Sequence, residues 1–179
     1  MSRIWPRPRA LESAIVTLVS TYSGKHRFTA ADICEFHKIW LGGIYEWAGK
    51  YLQVNVVKDD FPFAAAARVP ALMEESERSV LAHHTPCNFK DRAEVIRALA
   101  ETHVELVLIH PFRDGNGRVA RVLAILMGLQ AGLPVMNFSR IAEGEEQKYF
   151  AAIRTGLDRN YEPMERLFAR IIEQSLASS

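Results

Sequence analysis

The sequence predicts an all-α protein, a single helical bundle that carries one β-hairpin. Apolar residues recur at helical spacing through most of the chain. Only Tyr51–Val57 alternates apolar with polar residues, as a half-buried strand does, and its β-branched residues favour the same conformation. The 179 residues, of which 49% are hydrophobic and 24% charged, suffice for one sizeable core and are typical of a globular domain.

Composition excludes several classes of protein. The formal net charge of +1 disfavours a nucleic-acid-binding surface, which normally carries a strong basic excess. No apolar run approaches the roughly 20 residues that span a bilayer, and no signal peptide is recognisable. Cys34 and Cys87 are too few for a disulfide framework and lack metal-ligand spacing. We therefore expect a cytoplasmic protein with neither a nucleic acid nor a membrane as its partner.

Two helices are predicted near the N-terminus. The apolar residues of Leu11–Tyr22 share one helical face, and Ser23–Gly24 ends that helix. Thr29 with Asp32 three residues later is typical of a helix N-cap, and a second helix follows it to about Trp40.

A β-hairpin is predicted next. Tyr51–Val57 is its first strand, Lys58–Asp60 its turn and Phe61–Phe63 its return arm. A lone hairpin is only marginally stable, so it must lean on the helices or on a partner. Its open edge could accept an extended peptide by strand addition. A covering loop with no role in binding is the alternative, and the residues alone leave both open.

Helices follow to the end of the chain. Pro70 is tolerated in the next helix only if it lies in the first turn or kinks the helix. Thr85–Pro86 breaks that helix, and Asp91 caps the helix that ends at about His110. We expect the helix after that to be central, because it is apolar on most sides. These later helices cover Ala64–His83, Ala93–Ile109, Arg118–Ala131, Glu145–Asp158 and Pro163–Ser175. Residues 1–9 are interpreted as a flexible arm and residues 10–179 as one domain.

The stretch between the two most apolar helices carries the chemistry. His110 is a titratable imidazole that suits a general base at neutral pH, and Asp114 is a hard oxygen ligand suited to Mg²⁺. The glycines of Gly115-Asn116-Gly117 let backbone N–H groups converge on an anion in front of a helix N-terminus. The set predicts phosphoryl or nucleotidyl transfer.

Two arginines support an anion at this position. Arg118 and Arg121 are three residues apart, so they project from one face of the helix. Both lie near its first turn, where the helix dipole disfavours a cation by roughly 0.3–1 kcal/mol. An anionic ligand in front of the helix would offset that cost.

Residues 110–121 read His-Pro-Phe-Arg-Asp-Gly-Asn-Gly-Arg-Val-Ala-Arg. They resemble the active-site motif of the Fic family, His-Pro-Phe-x-(Asp/Glu)-Gly-Asn-Gly-Arg-x-x-Arg, at every defined position. Ile44–Tyr51 resembles the segment before the flap of that family. The resemblance covers about residues 29–176, which it implies are the core of a Fic-like helical bundle with a β-hairpin flap.

The resemblance implies a protein adenylyltransferase that transfers AMP from ATP to a Ser, Thr or Tyr hydroxyl of a target protein and releases pyrophosphate. His110 would deprotonate the hydroxyl, and Asp114 would hold Mg²⁺ against the α- and β-phosphates. Gly115, Asn116 and Gly117 would cradle the phosphates, Arg118 would position their β/γ end and Arg121 would engage the γ-phosphate. The hairpin of residues 51–63 would be the flap that aligns the target by strand addition, through Leu52, Gln53, Val54, Asn55, Val56 and Val57. At the position of Leu52, bacterial relatives often carry arginine.

Several alternatives stay open. The scaffold could transfer UMP, phosphocholine or phosphate instead of AMP, or the domain could bind proteins without catalysis. Ser139-Arg-Ile-Ala-Glu143-Gly144 fits the (Ser/Thr)-x-x-x-Glu-(Gly/Asn) pattern of the family's inhibitory helix, whose glutamate would pair with Arg121. Because that helix normally lies elsewhere in the chain, we expect inhibition by a separate antitoxin protein, as in bacterial toxin–antitoxin pairs, or none.

Overall fold

The computed structural model describes residues 8–58, 61–139 and 144–178. Among these residues it has eight α-helices, two 3₁₀ turns (Ala66–Arg68 and Gly156–Asp158) and a π-helical turn (Glu77–Leu81). The helices are α1 (Pro8–Thr21), α2 (Ala30–Leu41), α3 (Val69–Ser76), α4 (Ala82–His84), α5 (Arg92–Ile109), α6 (Asn116–Gln130), α7 (Glu146–Thr155) and α8 (Glu162–Ala177). Two short antiparallel strands, β1 (Val57–Lys58) and β2 (Phe61–Pro62), form one hairpin. The predicted all-α class with one hairpin is confirmed.

The core forms around α5 and α6, which pack along each other. α5 also packs against α8, α7 and α3, and α2 covers the other side of α6. Every residue from Val122 to Gly128 is buried, which confirms the predicted central helix. The stretch that joins α5 to α6 is therefore held at both ends by buried helices.

Two predicted helix caps are confirmed. Thr29 and Asp32 form a full capping box: Asp32 N–H donates to Thr29 Oγ1 at 3.2 Å and Thr29 N–H donates to Asp32 Oδ2 at 2.8 Å. Asp91 Oδ1 accepts from Ala93 N–H at 3.0 Å and starts α5. Each cap satisfies N–H groups that have no partner inside the helix.

The strand predicted over Tyr51–Val57 was wrong for all but its last residue. Leu52 is buried and its N–H donates to the carbonyl of Pro111 at 2.9 Å, so this part of the segment is tied to the loop before α6. Val54, which the alternation placed on the same face, is 63% exposed. Because the return strand covers only Phe61–Pro62, the first strand pairs only at Val57 and Lys58. Asp59 and Asp60, predicted as the turn, lie outside the described residues.

Other boundaries differ in detail. The helix predicted over Ala64–His83 is divided into a 3₁₀ turn, α3, the π-helical turn and α4. Pro70 lies in the first turn of α3, one of the two positions that the sequence allowed for it. The peptide bond between Thr85 and Pro86 is cis. α1 begins at Pro8, and the rest of the predicted N-terminal arm lies outside the described residues. No helix in the described part of the chain is long and apolar enough to cross a bilayer.

Candidate active site

His110 closes α5 in a left-handed backbone conformation. Its φ and ψ are 53° and 56°, and its N–H donates to Leu106 O at 3.1 Å. This conformation turns the chain sharply out of the helix and leads it into Pro111. Nδ1 of the imidazole lies 3.4 Å from Val107 O, which favours a proton on Nδ1 and leaves the lone pair on Nε2.

Asn116 ties the loop to itself. Its Oδ1 accepts from Phe112 N–H at 2.8 Å, and its Nδ2 donates to Phe112 O at 2.7 Å. Both side chains are buried, Asn116 at 3% exposure and Phe112 at 0%. The Asn116 side chain is therefore used to close the loop, and its backbone N–H, in the first turn of α6, is the group suited to contact an anion.

Gly115 is required by both conformation and space. It has a φ of +86°, and a Cβ there would come within 2.6 Å of the Trp40 ring. Gly117 approaches the hydroxyl of Tyr149, which would lie 3.6 Å from a Cβ. Gly115 thus lets the start of α6 lie against the Trp40 ring, whereas a Cβ at position 117 would make only an ordinary contact.

The acidic and basic groups of the loop lie beside one another. Arg118 Nη2 is 3.4 Å from Asp114 Oδ1, and the two side chains are 25% and 51% exposed. The Arg118 guanidinium also lies 4.6 Å from the centre of the Trp40 ring. An ion pair this exposed contributes little to stability, so both groups can turn toward a ligand at small cost.

Arg121 lies over a buried pair of side chains. Its guanidinium is 5.6 Å from the centre of the Tyr149 ring, and the Tyr149 hydroxyl is 2.9 Å from His103 Nε2. Burial raises the pKa of Tyr149 to about 12, although the charge and hydrogen bond of Arg121 oppose this shift. Burial and the Arg121 charge lower the pKa of His103 to about 3. His103 is thus a buried, hydrogen-bonded core histidine.

No described carboxylate balances the charge of Arg121. The ion pairs among the described residues do not include it, and its Nε is buried without a hydrogen-bond partner there. Glu143, which fits the family's inhibitory pattern but for which we expected no such role, lies outside the described residues together with residues 140–142.

Two buried side chains that contact the loop were not predicted as site residues. His37 of α2 is 0% exposed and hydrogen-bonds the carbonyl oxygen of Asp114 at 3.0 Å. Tyr149 lies beside Arg121 and Gly117. Both occupy apolar helical faces, where the pattern indicates a core position. A polar residue on an apolar helical face indicates a buried hydrogen bond. The sequence pattern does not show which distant segment supplies the partner.

The hairpin reaches the loop from the other side. The Phe63 ring stacks on the His110 imidazole, and the N–H of Phe63 donates to Val56 O at 3.3 Å. Among the predicted flap residues, Leu52 is buried while Gln53 and Val54 are exposed. Asn55, also exposed, accepts from Ala66 N–H at 2.8 Å, and Val57 pairs with Pro62.

A cavity of about 450 Å³ lies between the hairpin and α7. It is largely apolar, with three phenylalanine rings and two polar side chains, and it is lined by Phe61, Phe63, Val107, Gln147, Phe150, Ala151, Ile153 and Arg154. Phe63 lines the cavity and also stacks on His110, so one side chain connects the cavity with the imidazole. The size suits a nucleoside.

Asp114 fits a magnesium ion that shares its coordination with a ligand. The carboxylate is half exposed and stands beside the first N–H groups of α6. Within the part of the chain described, no three His, Cys, Asp or Glu side chains form a site that could hold a metal by themselves. Mg²⁺ is commonly held by one or two carboxylates with phosphate and water oxygens completing its octahedron, and this donor set fits that arrangement.

Comparison with known proteins agrees with the motif. The model of the Fic/DOC family matches residues 27–127. A protein adenylyltransferase Fic of Nematostella vectensis is 30% identical over 173 residues, 93% of this chain and 38% of that protein. The protein adenylyltransferase VbhT of Bartonella schoenbuchensis is 32% identical over 126 residues, 70% of this chain and 26% of that protein. The chain thus spans less than two-fifths of either relative's length.

Solved structures agree on the fold. The BepC protein of Bartonella tribocorum, crystallised with bound AMPPNP, has a TM-score of 0.71 at 23% identity, over 91% of this chain and 82% of that one. The matched family model covers more than half of the chain, from the start of α2 through most of α6. On this evidence the protein belongs to the Fic/DOC family.

Proposed function

We propose that this domain is a protein adenylyltransferase, which transfers AMP from ATP to a Ser, Thr or Tyr hydroxyl of a target protein. The observation that carries the proposal is the position of His110, at the end of α5 and beside the loop that holds Asp114 and the N-terminus of α6. The names of the two relatives support the same reaction.

His110 is the proposed general base. Its Nε2 would take the proton of the target hydroxyl while the hydroxyl oxygen attacks the α-phosphorus of ATP. The bond from the α-phosphorus to the bridging oxygen breaks, and pyrophosphate leaves. The contact of Nδ1 with Val107 O supports the required tautomer. A positioned base of this kind contributes about 10²–10⁴-fold to the rate.

The loop would bind the triphosphate. The backbone N–H groups of Gly115, Asn116 and Gly117 precede or begin α6, so the helix dipole adds to their attraction for an anion. Arg118 would position the β/γ end, and Arg121 would engage the γ-phosphate, which would supply the acceptor that its buried Nε lacks in the described residues. Asp114 would hold Mg²⁺, which when bound would neutralise negative charge on the phosphates.

The hairpin would contact both the target and the adenosine of the same ATP. The exposed edge at Gln53–Val57 would align an extended segment of the target by strand addition. The cavity beside Phe63 and Phe150 would seat the adenosine, because aromatic rings and apolar walls suit a flat purine. That cavity supports a nucleotide as the donor of the transferred group.

Radioactive labelling separates the candidate reactions. Lysate incubated with the protein and α-³²P-ATP should give labelled proteins, whereas γ-³²P-ATP should not, since pyrophosphate leaves. Label from γ-³²P-ATP would indicate phosphate transfer, and stronger label from α-³²P-UTP would indicate UMP transfer. His110→Ala should reduce α-label about 10²–10⁴-fold, and His83→Ala, an exposed histidine, should leave it unchanged. The absence of label in every wild-type reaction would leave phosphocholine transfer or a binding module.

Regulation of this site would act on Arg121. A carboxylate from Glu143 or from a separate antitoxin protein would compete with the γ-phosphate for its guanidinium. We expect the separate protein, or no inhibition. A large rise in self-labelling of a Glu143→Gly variant would instead assign inhibition to Glu143.

A further inference from the structure

His37 bonds to two segments that are far apart in the sequence. Its Nδ1 is 2.8 Å from the backbone nitrogen of Gly49, and its Nε2 is 3.0 Å from the carbonyl oxygen of Asp114. The imidazole stacks on the ring of Phe112, with centroids 4.0 Å apart and 10° between the planes. The side chain is 0% exposed. Gly49 lies just before the flap, and Asp114 begins the proposed phosphate-binding turn.

The two partners require one tautomer of His37. A backbone N–H can only donate, so Nδ1 must accept from Gly49 and the ring proton must lie on Nε2. Nε2–H then donates to the Asp114 carbonyl. One neutral imidazole therefore satisfies a donor on the flap side and an acceptor on the loop side.

The Asp114 carbonyl sets the direction of the next N–H. The peptide between Asp114 and Gly115 is planar and trans, so its C=O and N–H point to opposite sides. With the oxygen held by His37, the N–H of Gly115 points away from α2. There it donates at 2.7 Å to Oδ1 of Asp114, the carboxylate that is the proposed magnesium ligand.

We propose that His37 is a positioning residue that links the phosphate-binding loop to the base of the flap. It fixes the peptide that presents the Gly115 N–H, and it fixes the distance from that peptide to the start of the segment that would align the target. It touches neither nucleotide nor target. This role rests on the proposed function, because it assumes that the loop binds phosphate.

Two substitutions separate the two hydrogen bonds. In His37→Asn the side-chain oxygen is as many bonds from Cβ as Nδ1, so it can still accept from Gly49 but cannot reach Asp114. In His37→Gln the amide nitrogen is as many bonds from Cβ as Nε2, so it can still donate to Asp114 and loses Gly49. His84→Gln is the matched control, since that histidine is also buried, at 5% exposure, and hydrogen-bonds Glu101 at 2.8 Å away from the loop.

The dissociation constant for Mg·ATP and amide hydrogen exchange are the measurements. We expect His37→Asn to weaken Mg·ATP binding about 10–100-fold and to speed exchange over residues 110–117, as loss of a group that orients a ligand does. His37→Gln should bind Mg·ATP nearly as wild type does and should speed exchange over residues 49–58. His84→Gln should lower the melting temperature, but it should neither weaken Mg·ATP binding nor speed exchange over residues 110–117 or 49–58.

Equal Mg·ATP affinity in both variants, or the same rise of exchange in both segments, would overturn the proposal. If either variant fails to fold, the wild-type protein gives the remaining test: Mg·ATP should slow exchange of the Gly49 amide, and an unchanged rate would contradict the link. If the wild-type chain bound no ATP, the proposed function would be wrong, while the exchange patterns of the variants would still decide whether His37 joins the two segments.

Discussion

The ring of Phe63 lies nearly parallel to the imidazole of His110, with centroids 3.7 Å apart and 20° between the planes. The contact joins the return arm of the hairpin to the end of α5. It covers one face of the imidazole and restricts rotation of the ring. The flap therefore holds the proposed base as well as lying next to it.

Replacing Phe63 should slow transfer even at saturating Mg·ATP, where a weaker contact with the proposed adenosine cavity no longer limits the rate. Phe63→Ala removes the stack, and we expect labelling from α-³²P-ATP to fall by about 10–100-fold, because small misplacements of a reacting group are costly. Phe63→Tyr keeps the stack and should retain most activity. Phe89→Ala serves as the control, since Phe89 packs near His84 instead. An active Phe63→Ala protein would show that the flap does not orient His110.

Gly115→Ala should disrupt the loop more than the same change at Gly132. Both glycines have positive φ, so alanine costs about 1–2 kcal/mol at either position. Only at position 115 would the added Cβ meet another side chain, the Trp40 ring at 2.6 Å, whereas nothing lies within 4 Å at position 132. We expect Gly115→Ala to lose Mg·ATP binding in a titration and Gly132→Ala to keep it. Equal affinities would mean that the loop adjusts without loss.

Tyr149→Phe should destabilise the protein through His103. The substitution removes the hydroxyl 2.9 Å from His103 Nε2 and leaves a buried nitrogen without its partner. An unpaired buried polar group lowers the free energy of unfolding by about 1–3 kcal/mol, and urea unfolding can measure this loss. His103→Leu should remove most of that penalty when combined with Tyr149→Phe. Simple addition of the two single effects would show that the hydroxyl and the imidazole are not coupled.

Stability should fall as the pH drops below the ordinary pKa of histidine. The pKa of His103 is about 3 in the folded protein, against 6.5 without burial, and the charged or titratable groups that face it are Arg121 and Tyr149. Between these values the unfolded chain binds the proton and the folded protein does not. The free energy of unfolding should therefore decrease as pH falls through this window, by about 1.4 kcal/mol per unit for one proton.

Urea unfolding at pH 7, 6 and 5 checks this dependence. His103→Gln should give a shallower decrease than the wild-type protein over the same range, because glutamine has no proton to gain. The same slope in both proteins would mean that other groups cause the acid sensitivity.

Local signals predicted most of the fold. Caps such as Thr29 with Asp32, and the long apolar run of α6, depend on residues within a few positions of one another. The active-site loop was predicted for the same reason, since its chemistry is contained in twelve consecutive residues. The length of the hairpin was not predicted correctly. The N–H of Leu52 donates to the carbonyl of Pro111, and an alternation pattern cannot reveal such a hydrogen bond.

The supporting residues could not be predicted because their partners are distant in sequence. His37 and Asp114 are 77 positions apart, and His103 and Tyr149 are 46 apart. Each is a polar group on an otherwise apolar helical face. Periodicity shows that such a residue is buried, and only the packing of the helices shows what it meets.

The left-handed backbone of His110 makes that position a conflict between stability and chemistry. Glycine would adopt the same φ of 53° at lower cost, by about 1 kcal/mol, but it has no imidazole. A selection for thermal stability alone would therefore favour glycine at position 110, and a selection for transfer would restore histidine. His110→Gly would accordingly remove the proposed base and at the same time relieve the backbone strain of the turn that carries it.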